Sequence, residues 1–274
     1  MPRLAANLSV LYPELPFEAR YEAAARDGFA GVECQFTYAF DLAGLAARRR
    51  DAGVAQVLLN APAGDWDAGE RGHAALPGLE DRFRRGIERA LEHALALECP
   101  RIHVMAGVLP AGVERARAQA CYEANLAWAA AQAASVGRVL TIEPINPRDV
   151  PGYFLQRQDD ARATLRAVGA PNLRVQLDLY HCQVVEGDLT RRLREGLGGG
   201  FVGHLQVAGV PDRQEPDRGE TDIGWLFDEI DALSAAHAWD GWVGCEYRPR
   251  GGARPGATSE GLAWARRWLP GARA

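Results

Sequence analysis

The chain has 274 residues, of which 47% are apolar and 24% charged, a balance that suits one globular domain with a large core. Its net charge of −5 gives no sign of the basic surface that a nucleic-acid partner requires. All 31 basic residues are arginines, so chemistry that needs a lysine amine, such as Schiff-base formation, is excluded.

The cysteines and the beginning of the chain bear on the cellular compartment. The five cysteines are scattered and form no C-x-x-C pair, which argues against a disulfide framework or a structural zinc site. We find no signal-peptide pattern and no apolar run of about 18 residues. These observations predict a cytoplasmic protein with no membrane partner.

Eight short apolar runs alternate along the chain with longer amphipathic stretches rich in arginine and alanine. The predicted strands are residues 4–10, 31–36, 55–60, 101–106, 139–145, 173–180, 201–208 and 242–247. Strands that alternate with helices favour βα units and a parallel sheet, and eight such units predict one (β/α)8 TIM-barrel domain over residues 1–274. The competing fold is an open doubly wound sheet, but no G-x-G-x-x-G follows the first strand.

The longest irregular segments all follow strands, on the face where barrels keep their active sites. They are residues 61–78, 146–158, 209–221 and 248–258. The first of them contains GDWDAGERG, which includes Arg71, and its length suits a substrate lid.

The last four predicted strands end in polar residues that a packed core would not choose. These residues are Glu143 in TIEPIN, Asp178 in VQLDLYH, Gln206 in GHLQVAG and Glu246 in VGCEYRP. Neighbouring strand ends converge in a barrel, and carboxylates buried together repel one another unless a cation neutralises them. Oxygen ligands favour Mg²⁺ or Mn²⁺ over zinc, so the pattern predicts a divalent metal site. The alternative is that each acid pairs separately with an arginine at the rim.

Two histidines lie close to these acids in the sequence. His204 is two residues from Gln206 and therefore on the same face of its strand, either as a hydrogen-bonded core residue or as a ligand. His181 follows Asp178 by three residues and is either a rim residue bonded to a loop carbonyl or a contact of whatever the metal holds. His93 and His237 fall in helical stretches and are interpreted as surface residues.

At these positions the sequence resembles the hydroxypyruvate isomerase family, within the larger group of xylose-isomerase-like sugar isomerases and epimerases. The matching segments are AANLSVLYPELPF, NAPAGDWDAGERG, IEPIN, QLDLYH, GHLQVAGVPDRQEP and WVGCEYRP. The resemblance implies a metal-assisted barrel isomerase in which Glu143 and Glu246 are the acid/base pair. It also implies that these two glutamates, with Asp178 and Gln206, hold the metal.

The resemblance also implies which residues contact the substrate. Related keto-sugar epimerases use a histidine three residues past the aspartate and an arginine after the seventh strand. His181 matches the first, and Arg213 matches the second if a one-residue loop insertion is allowed. This chain departs from those relatives in having Gln206 where their ligand looks like a histidine, and Arg248 where the family tends to have lysine. A substrate carboxylate would be held by an arginine such as Arg213 or Arg71.

The implied reaction moves a proton between adjacent carbons through an enediolate, most simply converting hydroxypyruvate into tartronate semialdehyde, or acting on a related acid such as 2-oxo-tetronate. A keto-sugar epimerase or isomerase is the alternative on the same barrel. An apurinic-site endonuclease would need a multi-metal cluster and a basic face, and a non-catalytic binding module would leave the two glutamates unused. We expect a small carboxylate or sugar-like substrate and no nucleic acid, and the oligomeric state, including a homo-oligomer, is left open.

Overall fold

The structure is a computed structural model, and it describes residues 1–269. Eight parallel strands form a closed barrel in chain order, with β1 hydrogen-bonded to both β2 and β8. This confirms the predicted TIM barrel. The strands are β1 Leu4–Asn7, β2 Gly31–Cys34, β3 Ala55–Asn60, β4 Arg101–His103, β5 Val139–Ile142, β6 Leu173–Asp178, β7 Val202–Val207 and β8 Val243–Cys245.

Helices follow the strands around the outside of the barrel. They are α1 Arg20–Arg26, α2 Leu42–Ala52, α3 Glu80–Ala96, α4 Arg115–Ser135, α5 Gln158–Val168, α6 Leu179–Val185, α7 Leu189–Gly198, α8 Ile223–His237 and α9 Ala257–Gly261. Short 3-10 helices precede α1, at Phe17–Ala19, and follow α9, at Leu262–Trp268. No helix in the described part of the chain is long and apolar enough to cross a membrane.

The helix boundaries follow from local sequence. Helix α2 begins after Asp41, whose carboxylate accepts hydrogen bonds from the backbone N–H groups of Ala43 and Gly44. The helix ends at Gly53, which has the left-handed conformation (φ 68°) that suits a residue without a Cβ. In α3, Phe83, Ile87, Ala90 and Ala94 recur at helical spacing and are buried, so one face of this helix packs on the barrel.

All eight predicted strands are present, but most end earlier than predicted on the carboxyl side. The predicted run 139–145 is a strand only to Ile142, and the run 242–247 only to Cys245. As a result, Glu143 and Glu246 are the first residues beyond β5 and β8. Both side chains are therefore placed at the carboxyl-end face of the barrel.

Three consecutive loops on this face are joined by backbone hydrogen bonds. Gly72 and Ala106, in the loops after β3 and β4, form an isolated antiparallel bridge, and the Ala75 N–H donates to the Ala106 carbonyl (2.8 Å). A second bridge joins Val108 to Tyr153 in the loop after β5. One wall of the barrel mouth is therefore held together by backbone contacts.

Candidate active site

A cavity of about 460 Å³ opens at the carboxyl ends of the strands, a size typical of small-molecule sites. Six of the seven residues singled out from the sequence line it: Arg71, Glu143, His181, Gln206, Arg213 and Glu246. The seventh, Asp178, lies beside the cavity, because its Oδ2 atom is 3.6 Å from His181 Nε2. The structure therefore brings all seven to one place.

Glu143, Asp178 and His181 form a tight buried cluster. One potential ligand atom from each lies within 4.8 Å of the others. The Oε1 atom of Glu143 and the Oδ2 atom of Asp178 are buried and have no hydrogen-bond partner. Leaving buried carboxylate oxygens without partners is costly, so two such atoms facing one another fit a bound cation.

Gln206 and Glu246 complete the predicted metal set on the neighbouring strands. Glu246 accepts hydrogen bonds from Gln35 Nε2 (2.6 Å) at one oxygen and from Arg213 Nη2 (3.0 Å) at the other. Gln206 accepts from Gln176 Nε2 (2.7 Å) through its Oε1 atom. Three of the four predicted oxygen ligands therefore line the cavity, with Asp178 beside it, and Glu246 makes the closer of the two contacts with Arg213.

Burial and mutual repulsion disfavour the charged forms of these acids. Burial, together with the charges of Glu246 and Asp178, raises the pKa of Glu143 well above its usual value. Burial also raises the pKa of Glu246, and it raises that of Asp178 to about 7, although Arg213 acts in the opposite direction on both. Without a cation, the site is expected to take up protons instead.

Arg213 is the partly buried cation among these acids. Burial lowers the pKa of its guanidinium, but the nearby carboxylates, Glu246 and Asp178 first, outweigh burial and raise it overall. Its Nη2 atom is 3.0 Å from Glu246 Oε2 and 3.7 Å from Asp178 Oδ2. Arg213 has a left-handed backbone (φ 54°), uncommon for a residue other than glycine, so a tight turn directs this side chain into the cavity.

The hydrogen bonds of His181 define which ring nitrogen carries the proton. The Asp149 N–H donates to Asn146 Oδ1 (2.8 Å), so the Asn146 side-chain nitrogen faces His181 Nδ1 (2.6 Å). Burial lowers the pKa of His181 well below its usual value, so the ring is neutral, and Nδ1 is the acceptor. The Nε2–H group therefore points at Asp178 and Glu143 as a donor, which suits a contact with a substrate oxygen better than a metal ligand.

The loop arginines separate into two groups. Arg71 and Arg248 line the cavity, and the Arg71 guanidinium lies 3.7 Å over the Trp66 ring while its Nη1 donates to the Trp66 and Glu70 carbonyls. Arg250 instead pairs with Asp217 (2.7 Å), away from the cavity. Together with Arg213, the cavity thus has arginines from the loops after β3, β7 and β8.

The sequence reasoning missed two buried residues in this region. Glu33 on β2 accepts a hydrogen bond from Gln206 Nε2 (2.7 Å) and lies 2.6 Å from His204 Nε2, which confirms His204 as a hydrogen-bonded core residue. His103 on β4 lines the cavity with both ring nitrogens unpartnered, and burial lowers its pKa to about 3. The signal for Glu33 was present, because it is a carboxylate inside an apolar strand, like the three acids that were chosen.

Two histidines were predicted to be surface residues, and one of these two predictions is wrong. His237 is exposed, as predicted. His93 is only 5% exposed; its Nδ1 atom is 2.8 Å from the Thr37 hydroxyl, and its ring packs on Tyr38. It lies beside Ala94 on the buried face of α3. The helical spacing of the apolar residues did not show that this polar residue belongs to the same buried face.

A closed parallel barrel with buried acids and a cavity at the carboxyl ends of its strands is the architecture of TIM-barrel enzymes. The sequence model of the xylose isomerase-like TIM barrel family matches residues 21–268, and the chain belongs to this family.

Relatives and solved structures agree with this assignment. The chain is 54% identical to a 2-oxo-tetronate isomerase of Cupriavidus necator, covering 98% of this chain and 99% of the relative. It is 40% identical to the hydroxypyruvate isomerase of Escherichia coli, covering 96% and 98%. A crystal structure described as an AP endonuclease of family 2 from Brucella melitensis superposes with a TM-score of 0.91 at 43% identity, over 98% and 99% of the two chains. The names of the curated relatives confirm the predicted class of enzyme, an isomerase.

Proposed function

We propose that the chain is a metal-dependent isomerase of a small, unphosphorylated 2-oxo acid. The observation that carries the proposal is the pair of buried glutamates, Glu143 and Glu246, which line one cavity with Asp178 directly beside it. A protein would not bury these acids together for stability alone, because burial and then the charges of Glu246 and Asp178 raise the pKa of Glu143, and burial and then Glu246 raise that of Asp178.

The proposed ligands of the metal are Glu143, Asp178, Gln206 and Glu246. Oxygen donors of this kind suit Mg²⁺ or Mn²⁺, and the unpartnered oxygens of Glu143 and Asp178 fit such an ion. When bound, the ion supplies positive charge next to the substrate oxygens, which stabilises developing negative charge by several kcal/mol.

Glu143 and Glu246 are the proposed acid/base pair. One carboxylate removes a proton from the carbon that bears the hydroxyl group, and the other returns a proton to the former carbonyl carbon, with an enediolate between the two steps. The hydroxyl proton passes to the former carbonyl oxygen, so the hydroxyl and carbonyl groups exchange places. Because burial raises both pKa values, each group is closer to the range where it can give as well as accept a proton near neutral pH.

Three residues are proposed to bind the substrate: His181, Arg213 and Arg71. The His181 Nε2–H group donates toward a substrate oxygen, as its tautomer allows. Arg213 and Arg71 offer planar guanidinium groups on the cavity wall, which can bind a carboxylate through two hydrogen bonds. The cavity thus combines proton-transfer groups with a carboxylate-binding side.

For the substrate itself, we propose the four-carbon acid 2-oxo-tetronate ahead of three-carbon hydroxypyruvate. The relative at 54% identity bears the name of the first activity, whereas the relative named for the second is 40% identical. Purified protein loaded with Mg²⁺ or Mn²⁺ should be assayed on both acids and on a pentulose phosphate. We expect the highest kcat/KM for 2-oxo-tetronate and loss of activity after chelation, reversed when metal is restored. Preference for the sugar phosphate, or full activity after exhaustive chelation, would overturn the corresponding part of the proposal.

A second candidate, cleavage of DNA at abasic sites, is favoured by one observation, the description of the Brucella melitensis structure as an AP endonuclease. The net charge of −5 argues against it, because DNA binding relies on neutralising phosphates. Incubation of the metal-loaded protein with an abasic duplex decides the question. Nicking that is lost in the Glu143→Gln variant would support the nuclease, and intact DNA would remove it.

A further inference from the structure

A chain of four buried side chains crosses the barrel interior at the bottom of the cavity. The Thr141 hydroxyl on β5 donates to Gln176 Oε1 (3.2 Å), and Gln176 Nε2 donates to Gln206 Oε1 (2.7 Å). Gln206 Nε2 in turn donates to Glu33 Oε1 (2.7 Å). The chain therefore runs through strands β5, β6 and β7 and ends on the carboxylate of β2.

Glu33 sets the direction of this chain. An amide can be turned end for end at little cost in shape, but an ionised carboxylate only accepts hydrogen bonds. With Glu33 at the end, Gln206 must present its nitrogen to β2, and its oxygen must lie on the opposite side, toward β6. The same oxygen keeps a second lone pair that Gln176 does not use.

The structure around Glu33 holds its carboxylate in place. The residue is fully buried (0% exposed), Asn7 Nδ2 donates to it (2.9 Å), and His204 Nε2 lies 2.6 Å from its other oxygen. Gly244 on β8 provides the space: a Cβ atom added there would lie 2.2 Å from Glu33 Oε2. Glu33 itself does not line the cavity, so these contacts hold a carboxylate that lies behind the cavity wall.

We propose that Glu33 is a positioning residue that fixes the Gln206 amide with its oxygen available to a divalent cation. The inference rests on the proposed function, because it requires Gln206 to be a metal ligand. Partners of this kind are general in metal sites, where they hold a ligand in one orientation. Here the ligand is an amide, so the partner selects which of its two ends the ion meets.

The test is the affinity of the metal-free protein for Mn²⁺, measured by calorimetry, in the Glu33→Gln variant. Glutamine keeps the shape of the side chain but can both donate and accept, so it no longer dictates the direction of the Gln206 amide. We expect the dissociation constant for Mn²⁺ to rise about 10-fold or more. Glu186→Gln is the matched control: this buried carboxylate pairs with Arg192 (2.6 Å), does not line the cavity, and should leave Mn²⁺ binding unchanged.

Repeating the Glu33→Gln substitution in the Gln206→Ala variant separates positioning of the Gln206 amide from a general structural effect of the substitution. In Gln206→Ala there is no amide to orient, so adding Glu33→Gln should change Mn²⁺ affinity by no more than about twofold. An equal loss in both backgrounds, or a Glu33→Gln variant that binds Mn²⁺ like the unmodified chain, would overturn the proposal.

Two further measurements distinguish a variant that fails to fold from a chain that has no metal centre and from a Glu33 that has no positioning role. If Glu33→Gln does not fold, Glu33→Asp serves instead, because it keeps the charge but withdraws it from Gln206, and the same rise in the dissociation constant is expected. An unmodified chain that takes up neither Mn²⁺ nor Mg²⁺ would overturn the proposed metal centre itself. An unmodified chain that binds Mn²⁺ alongside an unaffected Glu33→Gln variant would overturn only the role of Glu33.

Discussion

Four carboxylates and one arginine share the interior at one end of this barrel. Glu33, Glu143, Asp178 and Glu246 are each at most 6% exposed, and Arg213 lies against two of them. Buried charges of one sign are expensive unless they are neutralised by protons or by a cation. The negative charge left after Arg213 is counted is the strongest physical reason to place a metal here.

The proposed acid/base pair can be tested one carboxylate at a time. Glu246→Gln keeps an oxygen and the size of the side chain, but an amide cannot accept a proton. We expect kcat to fall at least about 100-fold, the lower end for removal of a general base, and Glu143→Gln should behave likewise. Steady-state kinetics checks this, with Mn²⁺ binding measured in parallel to show that the loss is chemical. Turnover close to normal in either variant would contradict the assignment.

Arg213 has two opposing effects that one substitution separates. Arg213→Ala removes a hydrogen-bond donor for the substrate carboxylate, so KM should rise about 10-fold or more, as for a bond between charged groups. It also removes a cation 3.0 Å from Glu246, so Mn²⁺ should bind more tightly.

The control for this substitution is Arg218→Ala, which changes an exposed arginine of the same loop and should alter neither quantity. Parallel weakening of substrate and Mn²⁺ binding in Arg213→Ala would show that the loop had collapsed, against the prediction.

The limits of sequence reasoning at this scale are visible in Glu33 and His93. Glu143, Asp178, Gln206 and Glu246 were found because they recur at the ends of four consecutive strands. Glu33 stands alone in an early strand, and a single buried acid is easily interpreted as paired elsewhere. His93 was assigned to the surface because a helical period does not say whether a polar residue at its edge is hydrogen-bonded inside, as this one is to Thr37.

At the scale of elements, the existence of each strand could be predicted, but the carboxyl end was right only for β3. Apolar runs mark where a strand is buried, and all eight were located. A strand ends where its ladder of backbone hydrogen bonds ends, however, and this depends on the neighbouring chain. The apolar pattern of the fifth run continues to Ile145, although the β5 strand ends at Ile142.

The loop after β3 depends on one glycine for its position. Gly72 has φ 101°, and a Cβ atom added there would lie 2.2 Å from the Met105 carbonyl oxygen. Gly72→Ala should therefore displace the loop together with the adjacent Arg71, raising KM and lowering the free energy of unfolding.

Gly69→Ala is the matched control for the loop prediction. Gly69 also has a positive φ (87°), but nothing lies within 4 Å of an added Cβ atom, so only the backbone cost of about 1–2 kcal/mol is expected. Urea unfolding and KM should be measured for both variants. Equal effects of the two substitutions would show that the contact with Met105 is unimportant.

At the scale of the whole molecule, the metal should act as a stabilising ligand. Binding to the folded chain alone stabilises it by about 2.7 kcal/mol when the ion is at 100 times its dissociation constant. Thermal unfolding in Mn²⁺ should therefore occur at a higher temperature than after chelation.

Asp178→Asn is the informative comparison for the thermal measurement. It removes the charge of a proposed ligand, so Mn²⁺ should raise the unfolding temperature of this variant by less than it raises that of the unmodified protein. The metal-free variant should unfold no earlier than the unmodified protein, because a buried charge has been removed while the oxygen that accepts from the Tyr180 N–H is kept. An identical rise with Mn²⁺ in both proteins would place the ion elsewhere.

The fold as a whole was accessible from the sequence because strands and helices repeat in a regular order. Eight alternations leave few arrangements other than a closed barrel, and the order of the strands in the sheet follows the chain. The contacts among side chains from distant strands were not accessible. The hydrogen bond between Glu33 and Gln206 joins residues 173 positions apart, and no local pattern records it.

The two bridges between loops after β3, β4 and β5 have a consequence for amide hydrogen exchange. Loop amides usually exchange rapidly, because local opening exposes them to solvent at low cost. The N–H groups of Ala75 and Phe154 instead donate across the loops to the carbonyls of Ala106 and Gly107, at 2.8 and 2.9 Å. Their deuterium uptake should be slow, resembling that of the strands beneath them rather than that of open loops. The loops on this side of the cavity would then be ordered before a substrate binds, so binding would cost little loop entropy.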